Sequence, residues 1–262
     1  MCRIAAYVGP GRPLADLVYT PPHSLSHQAF RPRELVHGHV NVDGTGVAWW
    51  PTPDTEPLRY VTAATPWADP NLSDLSRRLT GTTTLGAVRS ATPGVGFGTD
   101  HVAPFVVDGV AFAHNGWFQG LAGPVGRALV ADLPDPLLEH LRVWNDSRLL
   151  FLTVLAGLRD GLDLAKATAR GVGRVADLCA RHGLVTSLTV VATDGGRLVA
   201  TRAAFGERVN SLYVLVDDDA VWMASEPLDE RRWEPVPAGS LVQARPGAVD
   251  VETLDGLEGI AE

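Results

Sequence analysis

The sequence predicts an α+β protein in which two antiparallel sheets pack face to face with helices outside them. Three observations predict it. Strand-length apolar runs fill the first part of the chain, two helical stretches follow, and strand-length runs return to the end. The regular strand–helix alternation of a doubly wound parallel sheet is missing. No glycine-rich loop follows a strand and opens a helix, so no nucleotide site is expected. At 262 residues and 45% hydrophobic composition the chain can bury a substantial core, and residues 1–262 read as one domain.

Taken in order, the run behind Met1 is short and stops at Gly9-Pro10, which suits a buried strand and not a signal peptide. The apolar runs Gly46–Trp50 and Leu58–Thr62 flank the proline-rich loop Pro51–Pro57 and read as two strands. Asp69 is placed to cap a helix running to about Leu79. Thr83–Arg89 and Gly109–Ala113 read as strands, with Asn115-Gly116 as the turn after the second. Helices are expected from Asp146 to about Asp160 and from Asp163 to about Arg181, the latter with Leu164, Ala167, Val175 and Leu178 on one face. Leu184–Thr193, Arg197–Thr201, Leu212–Val216, Val221–Ala224 and Leu241–Ala244 complete the strands.

Composition narrows the function classes. A net charge of -8 speaks against a nucleic-acid surface, which needs surplus basic residues; Lys166 is the only lysine. No apolar run is long enough for a membrane span, and a cytoplasmic protein is expected. The two cysteines, Cys2 and Cys179, are too few for a disulfide framework or a four-cysteine zinc site, and no metal or cofactor is expected.

Cys2 is the residue with the most chemistry. Methionine before a small residue is usually trimmed, which would give Cys2 a free α-amine beside its own thiol. The amine titrates near roughly 7.7–8.0 and the thiol near roughly 8.5, so the two can exchange a proton near neutrality. The bland reading is a small hydrophobe opening a strand. Cys179 lies on the apolar side of a helix and reads as core. The turn Asn41-Val-Asp43-Gly44-Thr-Gly46 reads as structural, although glycines also let backbone approach a ligand. Arg89 ends a strand and has a fork that suits a carboxylate; alone it reads rather as an arginine at a sheet edge salt-bridged to a neighbour. Asn115-Gly116 offers a side-chain amide and a backbone N–H, the two donors of an oxyanion hole, or else a plain hairpin turn. His114 reads as pointing into the fold and not as a base. Asp146 reads as a helix-start residue that could hold an ammonium.

As an ordered set, Cys2, Asn41-x-Asp43-Gly44-x-Gly46, Arg89 with Thr92, Asn115-Gly116 and Asp146-Ser147 resemble the class II, N-terminal-cysteine glutamine amidotransferase family over almost the whole chain. A narrower resemblance is to the ergothioneine-biosynthesis amidohydrolases, which remove the γ-glutamyl group from γ-glutamyl-hercynylcysteine S-oxide. It is carried by Pro21-Pro22-His23-Ser24-Leu25, His39–Gly44, Ala87–Gly94, Ala103-Pro104-Phe105 and Ala224–Asp229 with Trp233. The resemblance implies an N-terminal-nucleophile hydrolase fold, a four-layer α-β-β-α sandwich. It implies Cys2 as nucleophile, Asn115 and Gly116 as oxyanion donors, Arg89 and Thr92 on the glutamyl α-carboxylate, and Asp146 on its α-ammonium. His114 is grouped with these substrate-binding residues. Ser225-Glu226 matches a family segment near the active site without a role attached. Three positions depart from the family pattern: Ile4 where many relatives carry His, Arg148 where they carry an acid, and Trp117. Trp117 and Arg148 are assigned to the leaving-group side, and Trp49, Trp50, Trp67 and Trp117 to either a ring pocket or the core.

The leading expectation is a free-standing γ-glutamyl amidohydrolase acting on a small molecule, with a homo-oligomer left open. The alternative is a glutaminase subunit that passes ammonia to a separate synthetase. An acylase of bile-salt-like amides is disfavoured because Arg89 and Asp146 together ask for an α-amino acid. A non-catalytic binding protein would require loss of Cys2, Asn115 or Gly116, and all three are present.

Overall fold

The N-terminal apolar run forms the central strand of a sheet in the computed structural model, which describes residues 1–91 and 96–260. In chain order the elements are β1 (Arg3–Pro13), α1 (Ala15–Val18), α2 (Leu25–Phe30), β2 (Thr45–Trp50), β3 (Leu58–Thr62), α3 (Pro70–Leu75), β4 (Thr80–Val88), β5 (Phe105–Val107) and β6 (Val110–Phe118). Four helices follow, α4 (Pro124–Ala131), α5 (Asp135–Leu138), α6 (Asp146–Arg159) and α7 (Leu164–Arg181). The last strands are β7 (Thr186–Thr193), β8 (Leu198–Arg202), β9 (Ala204–Phe205), β10 (Tyr213–Asp217), β11 (Ala220–Ala224), β12 (Glu234–Pro235), β13 (Ser240–Arg245) and β14 (Ala248–Thr253).

These strands make two antiparallel sheets, ordered β12-β10-β11-β1-β4-β2-β3 and β14-β13-β8-β7-β6-β5, with β9 on β7. Both faces of the first sheet are covered, which is why β1 reads as an unbroken apolar run. Ile4, Ala6 and Val8 face the second sheet, whereas Ala5 and Tyr7 pack with Leu17, Val18, Leu25 and Leu72 of α1, α2 and α3. The second sheet is backed by α6 and α7, through contacts such as the stack of Phe112 on Phe151. The result is the predicted four-layer α-β-β-α sandwich.

The predicted long helices and most strands lie within a few residues of expectation. The helix capped by Asp69 is shorter than expected, ending at Leu75, although Asp69 does accept from Asn71 N and Leu72 N. The reading of Asn115-Gly116 as a turn is corrected. β6 runs through both residues to Phe118, because β7 pairs with it residue for residue from Ala111–Thr193 to Phe118–Thr186. Long-range pairing overrides the local hairpin signal. Glycine at 116 is required by that pairing: a Cβ there would collide with the Ser187 carbonyl.

Candidate active site

Cys2 is attached to the start of β1, so its place is inherited from a strand held on both edges, by β4 and β11. A narrow cleft opens beside it, lined by Arg89 and Ser90 past β4, His114 and Gly116 of β6, Asp146 and Ser147 at the start of α6, and His101. The structure therefore gathers Cys2, Arg89, His114, Gly116 and Asp146 from distant parts of the chain. Thr92 lies outside the described residues.

Arg89 is buried and held by its backbone: its N–H donates to Gly44 O and its carbonyl accepts from Asp43 N. Asp43 Oδ2 also accepts from Ala91 N at 2.7 Å. The Asn41–Gly46 turn thus clasps the arginine segment, and Gly46 is needed because a Cβ there would meet the Ala103 carbonyl. The guanidinium uses Nη2 on Gly96 O at 2.8 Å, while Nη1 is buried without a partner among the described residues.

Asn115 stands on β6 one residue past His114, so its side chain points to the opposite face, toward the first sheet. Its Nδ2 and Oδ1 are both buried and both unpartnered. Leaving such groups unmade costs about 1–3 kcal/mol, which is tolerable where a ligand completes them. Gly116 contributes a second donor. Its partner Leu188 donates to Ala203 on the far side, so the Gly116–Leu188 pair is of the non-hydrogen-bonded kind and the Gly116 N–H points away from β7. On that side β5 reaches no further than Phe105 opposite Phe112.

Asp146 occupies the first turn of α6, but the cap is Asn145, whose Oδ1 accepts from Arg148 N at 3.1 Å. Asp146 Oδ1 takes Ser147 N at 2.7 Å and Ser147 Oγ at 3.2 Å. His114 steadies this pair: its Nδ1 lies 3.0 Å from Ser147 Oγ and its Nε2 is 3.0 Å from Ser187 O. Burial holds the imidazole below its ordinary pKa, so it is neutral at pH 7. Both ring nitrogens are engaged, and His114 touches the cleft as a wall.

Two residues on the sequence list are absent from the cleft lining. Arg148 does not line the cleft. Its guanidinium donates to His140 O and Asp100 O and lies over the Phe105 ring at 4.4 Å. Burial, with Arg59 and Arg142 nearby, lowers its pKa to about 10. Trp117 follows Gly116 on β6 and is half-buried, its ring 6.5 Å from that of His37. Trp49 and Trp50 are core, and Trp67 is exposed against Phe30. Cys179 is core as expected, with its thiol pushed up to about 11 by burial.

One feature was not readable beforehand. Arg3, next to Cys2, is fully buried; its Nε donates to Cys2 O at 2.9 Å and its Nη1 to Glu226 Oε1 at 3.1 Å. Glu226 also takes His23 at 2.6 Å, the Arg33 N–H at 2.9 Å and the Glu34 N–H at 3.1 Å. Burial pushes this carboxyl up, but His23, these N–H groups and Arg3 outweigh it and hold it below the ordinary carboxylate value. The Pro21–Leu25 and Ala224–Asp229 motifs therefore meet in space through His23 and Glu226.

At the chain end, Met1 Sδ accepts from Asn210 Nδ2 at 3.1 Å, and the same Nδ2 donates to Asn115 O at 3.0 Å. Among the described residues no group of three or more His, Cys, Asp or Glu is gathered to hold a metal ion. Nor is any described helix long and apolar enough to cross a membrane.

No family profile matches the chain. Two curated relatives are named gamma-glutamyl-hercynylcysteine sulfoxide hydrolase. One, from Mycobacterium tuberculosis, is 33% identical over 260 residues, covering 99% of each chain. The other, from Mycolicibacterium smegmatis, is 33% identical over 257 residues, covering 97% of this chain and all of that one. Among solved structures, a glutamine aminotransferase class-II domain protein from Silicibacter pomeroyi superposes with a TM-score of 0.71 at 23% identity, covering 97% and 99% of the two chains. An allosteric regulatory enzyme of purine biosynthesis superposes with a TM-score of 0.69 at 16% identity, over 97% of this chain and 49% of that one. These likenesses give the class II amidotransferase-type fold.

Proposed function

Since the chain belongs to the family of the gamma-glutamyl-hercynylcysteine sulfoxide hydrolases, we propose that it hydrolyses the γ-glutamyl amide of γ-glutamyl-hercynylcysteine S-oxide through a thioester on Cys2, releasing glutamate. The observation that carries the assignment of roles is the buried, unpartnered amide of Asn115, one residue before the Gly116 that lines the Cys2 cleft.

With Met1 removed, the Cys2 α-amine takes the thiol proton and the thiolate attacks the γ-carbonyl carbon. The carbonyl oxygen becomes an oxyanion that accepts from Asn115 Nδ2 and the Gly116 N–H. The C–N bond then breaks, and the proton held by the α-ammonium passes to the leaving nitrogen. In the second half, water gives a proton to the same amine, attacks the thioester and expels the thiolate, which is reprotonated. The products are glutamate and the free amine.

Arg89 and Asp146 select the acyl group. The glutamyl α-carboxylate takes the unpartnered Nη1 of Arg89 and displaces Gly96 O from Nη2, giving a two-pronged contact. The α-ammonium pairs with Asp146, whose position is set by Ser147 and His114. The cleft has about 30 Å³ of free space, so its walls must give way for a glutamyl group to enter. The protein works in the cytoplasm.

The test is glutamate release by trimmed protein from γ-glutamyl-hercynylcysteine S-oxide, with glutamine in parallel and Cys2→Ala as control. Release from the sulfoxide and none from the variant supports the assignment. Release from glutamine alone would move it to a glutaminase.

A further inference from the structure

Asn210 lies in the segment before β10, is fully buried, and carries none of the roles assigned above. Its side-chain nitrogen is 3.0 Å from Asn115 O, 3.0 Å from Ser187 Oγ and 3.1 Å from Met1 Sδ. We propose that Asn210 is a positioning residue for the hydrolysis: it holds the carbonyl of the peptide bond between Asn115 and Gly116, and thereby aims the Gly116 N–H at the oxyanion. The proposal rests on the Cys2 thioester reading.

The first argument is the geometry of one peptide group. Asn115 C=O and Gly116 N–H belong to the same planar unit, and in the trans form they point in opposite directions. The N–H points away from β7, so the carbonyl points towards it. A donor on that carbonyl fixes the direction of the N–H at the far end. It also polarises the peptide group, and a hydrogen bond accepted at one end strengthens the donor at the other. Gly116 lines the cleft together with Cys2, so the effect is delivered there.

The second argument is which atom does the holding. A carbonyl oxygen only accepts, so the atom of Asn210 against Asn115 O has to be the nitrogen. The backbone behind it is fixed: Asn210 O accepts from Arg202 Nε at 3.0 Å and from Thr189 Oγ1 at 3.5 Å. The other half of the amide, Oδ1, is buried without a partner among the described residues. Burying that acceptor costs stability, so packing alone does not account for an amide here.

The third argument is a count of hydrogens. The amide nitrogen carries two, and three acceptors surround it: two oxygens and the Met1 sulfur. Removing Met1 leaves one hydrogen for each oxygen. Trimming therefore does two things at once. It frees the Cys2 amine, and it gives the Asn115 carbonyl an undivided bond.

The oxyanion exists only during the reaction, so weakening its donor lowers kcat and spares KM. The experiment uses trimmed protein carrying Asn210→Leu, which keeps the branched outline and removes the donor, with Asn210→Ala beside it. Melting temperature checks folding. Two rates are then read: glutamate release from γ-glutamyl-hercynylcysteine S-oxide, and alkylation of Cys2 by iodoacetamide at the same pH, a displacement that forms no oxyanion. The expected result is a fall in kcat of about tenfold, as for one hydrogen bond to the site. KM stays within about twofold of the parent and alkylation keeps its rate. An unchanged kcat overturns the proposal. So does a loss of kcat matched by slower alkylation or by a raised KM, since Asn210 would then be holding Cys2 or the substrate. Failure of both variants to fold makes Asn210 part of the framework and overturns the proposal as well. Absence of glutamate release by the trimmed parent is a separate outcome, which overturns the thioester reading itself.

Discussion

Two buried polar clusters flank Cys2, and they are finished to different degrees. Around Glu226 the carboxylate is saturated: His23, Arg3 and two backbone N–H groups converge on two oxygens. Around the cleft, Asn115 lacks partners at both amide atoms and Arg89 at Nη1. Burial alone does not separate them, since Glu226 and Asn115 are equally inaccessible. Completion does. The Glu226 carboxylate, with its bonds made, ties the chain together even though its partner Arg3 keeps Nη2 unpartnered; the Asn115 amide, with both atoms left over, is open to a ligand.

The contrast is broken most forcefully at Glu226. Glu226→Ala leaves Arg3 buried without its counter-ion, and loss of one member of such a pair costs about 3–5 kcal/mol. Denaturant midpoints read this directly, and a loss under 1 kcal/mol would show that the cluster is not a framework. Asn115→Ala probes the opposite case. It removes two unpartnered atoms, so the midpoint stays close to that of the parent, while kcat falls about 10²–10³-fold as expected for an oxyanion donor. A variant that unfolds with kcat intact would reverse the assignment. Arg89→Met is expected to raise KM for the glutamyl substrate about tenfold or more, with a smaller effect on kcat, because it removes a ground-state charge contact.

The mildest probe is acid. Burial lowers the His114 pKa below 6.5, so the unfolded chain takes up that proton first, and stability begins to fall as pH drops below about 6.5. Glu226 is held below 4.5; its contribution is complete above that value and is lost as pH falls through its lower folded-state pKa. Melting temperature against pH should therefore decline in two stages, and Glu226→Gln should flatten only the more acidic one.

How much of this was legible follows from the range of the interactions. The sandwich could be read because strands buried on both faces leave unbroken apolar runs, as in β1, and because α7 shows its periodicity openly. Cys2, Arg89, Gly116 and Asp146 could be named because each sits at or near the end of an element. The Asn115-Gly116 turn was misplaced because Asn-Gly is a local signal and β7, which overrides it, lies some seventy residues on. The short helices α1 and α2 carry too few turns to display a period. Glu226 had no visible role because its partner Arg3 is 223 residues away in sequence. Segment 33–36 gave no signal because it has no regular structure and its anchor is that same carboxylate.

The half-buried position of Met1 has a consequence for the order of events in the cell. Chain ends usually fray, yet here the first residues lead into the middle of a seven-stranded sheet, and the Met1 sulfur is already in use by Asn210. An aminopeptidase needs the first peptide bond extended and free. Met1 is only half-buried, so a peptidase acting on the folded chain would first have to draw its sulfur off the Asn210 amide. On the Cys2 thioester reading, the fraction of chains with a free Cys2 amine, read by N-terminal mass spectrometry, is expected to track glutamate release across preparations.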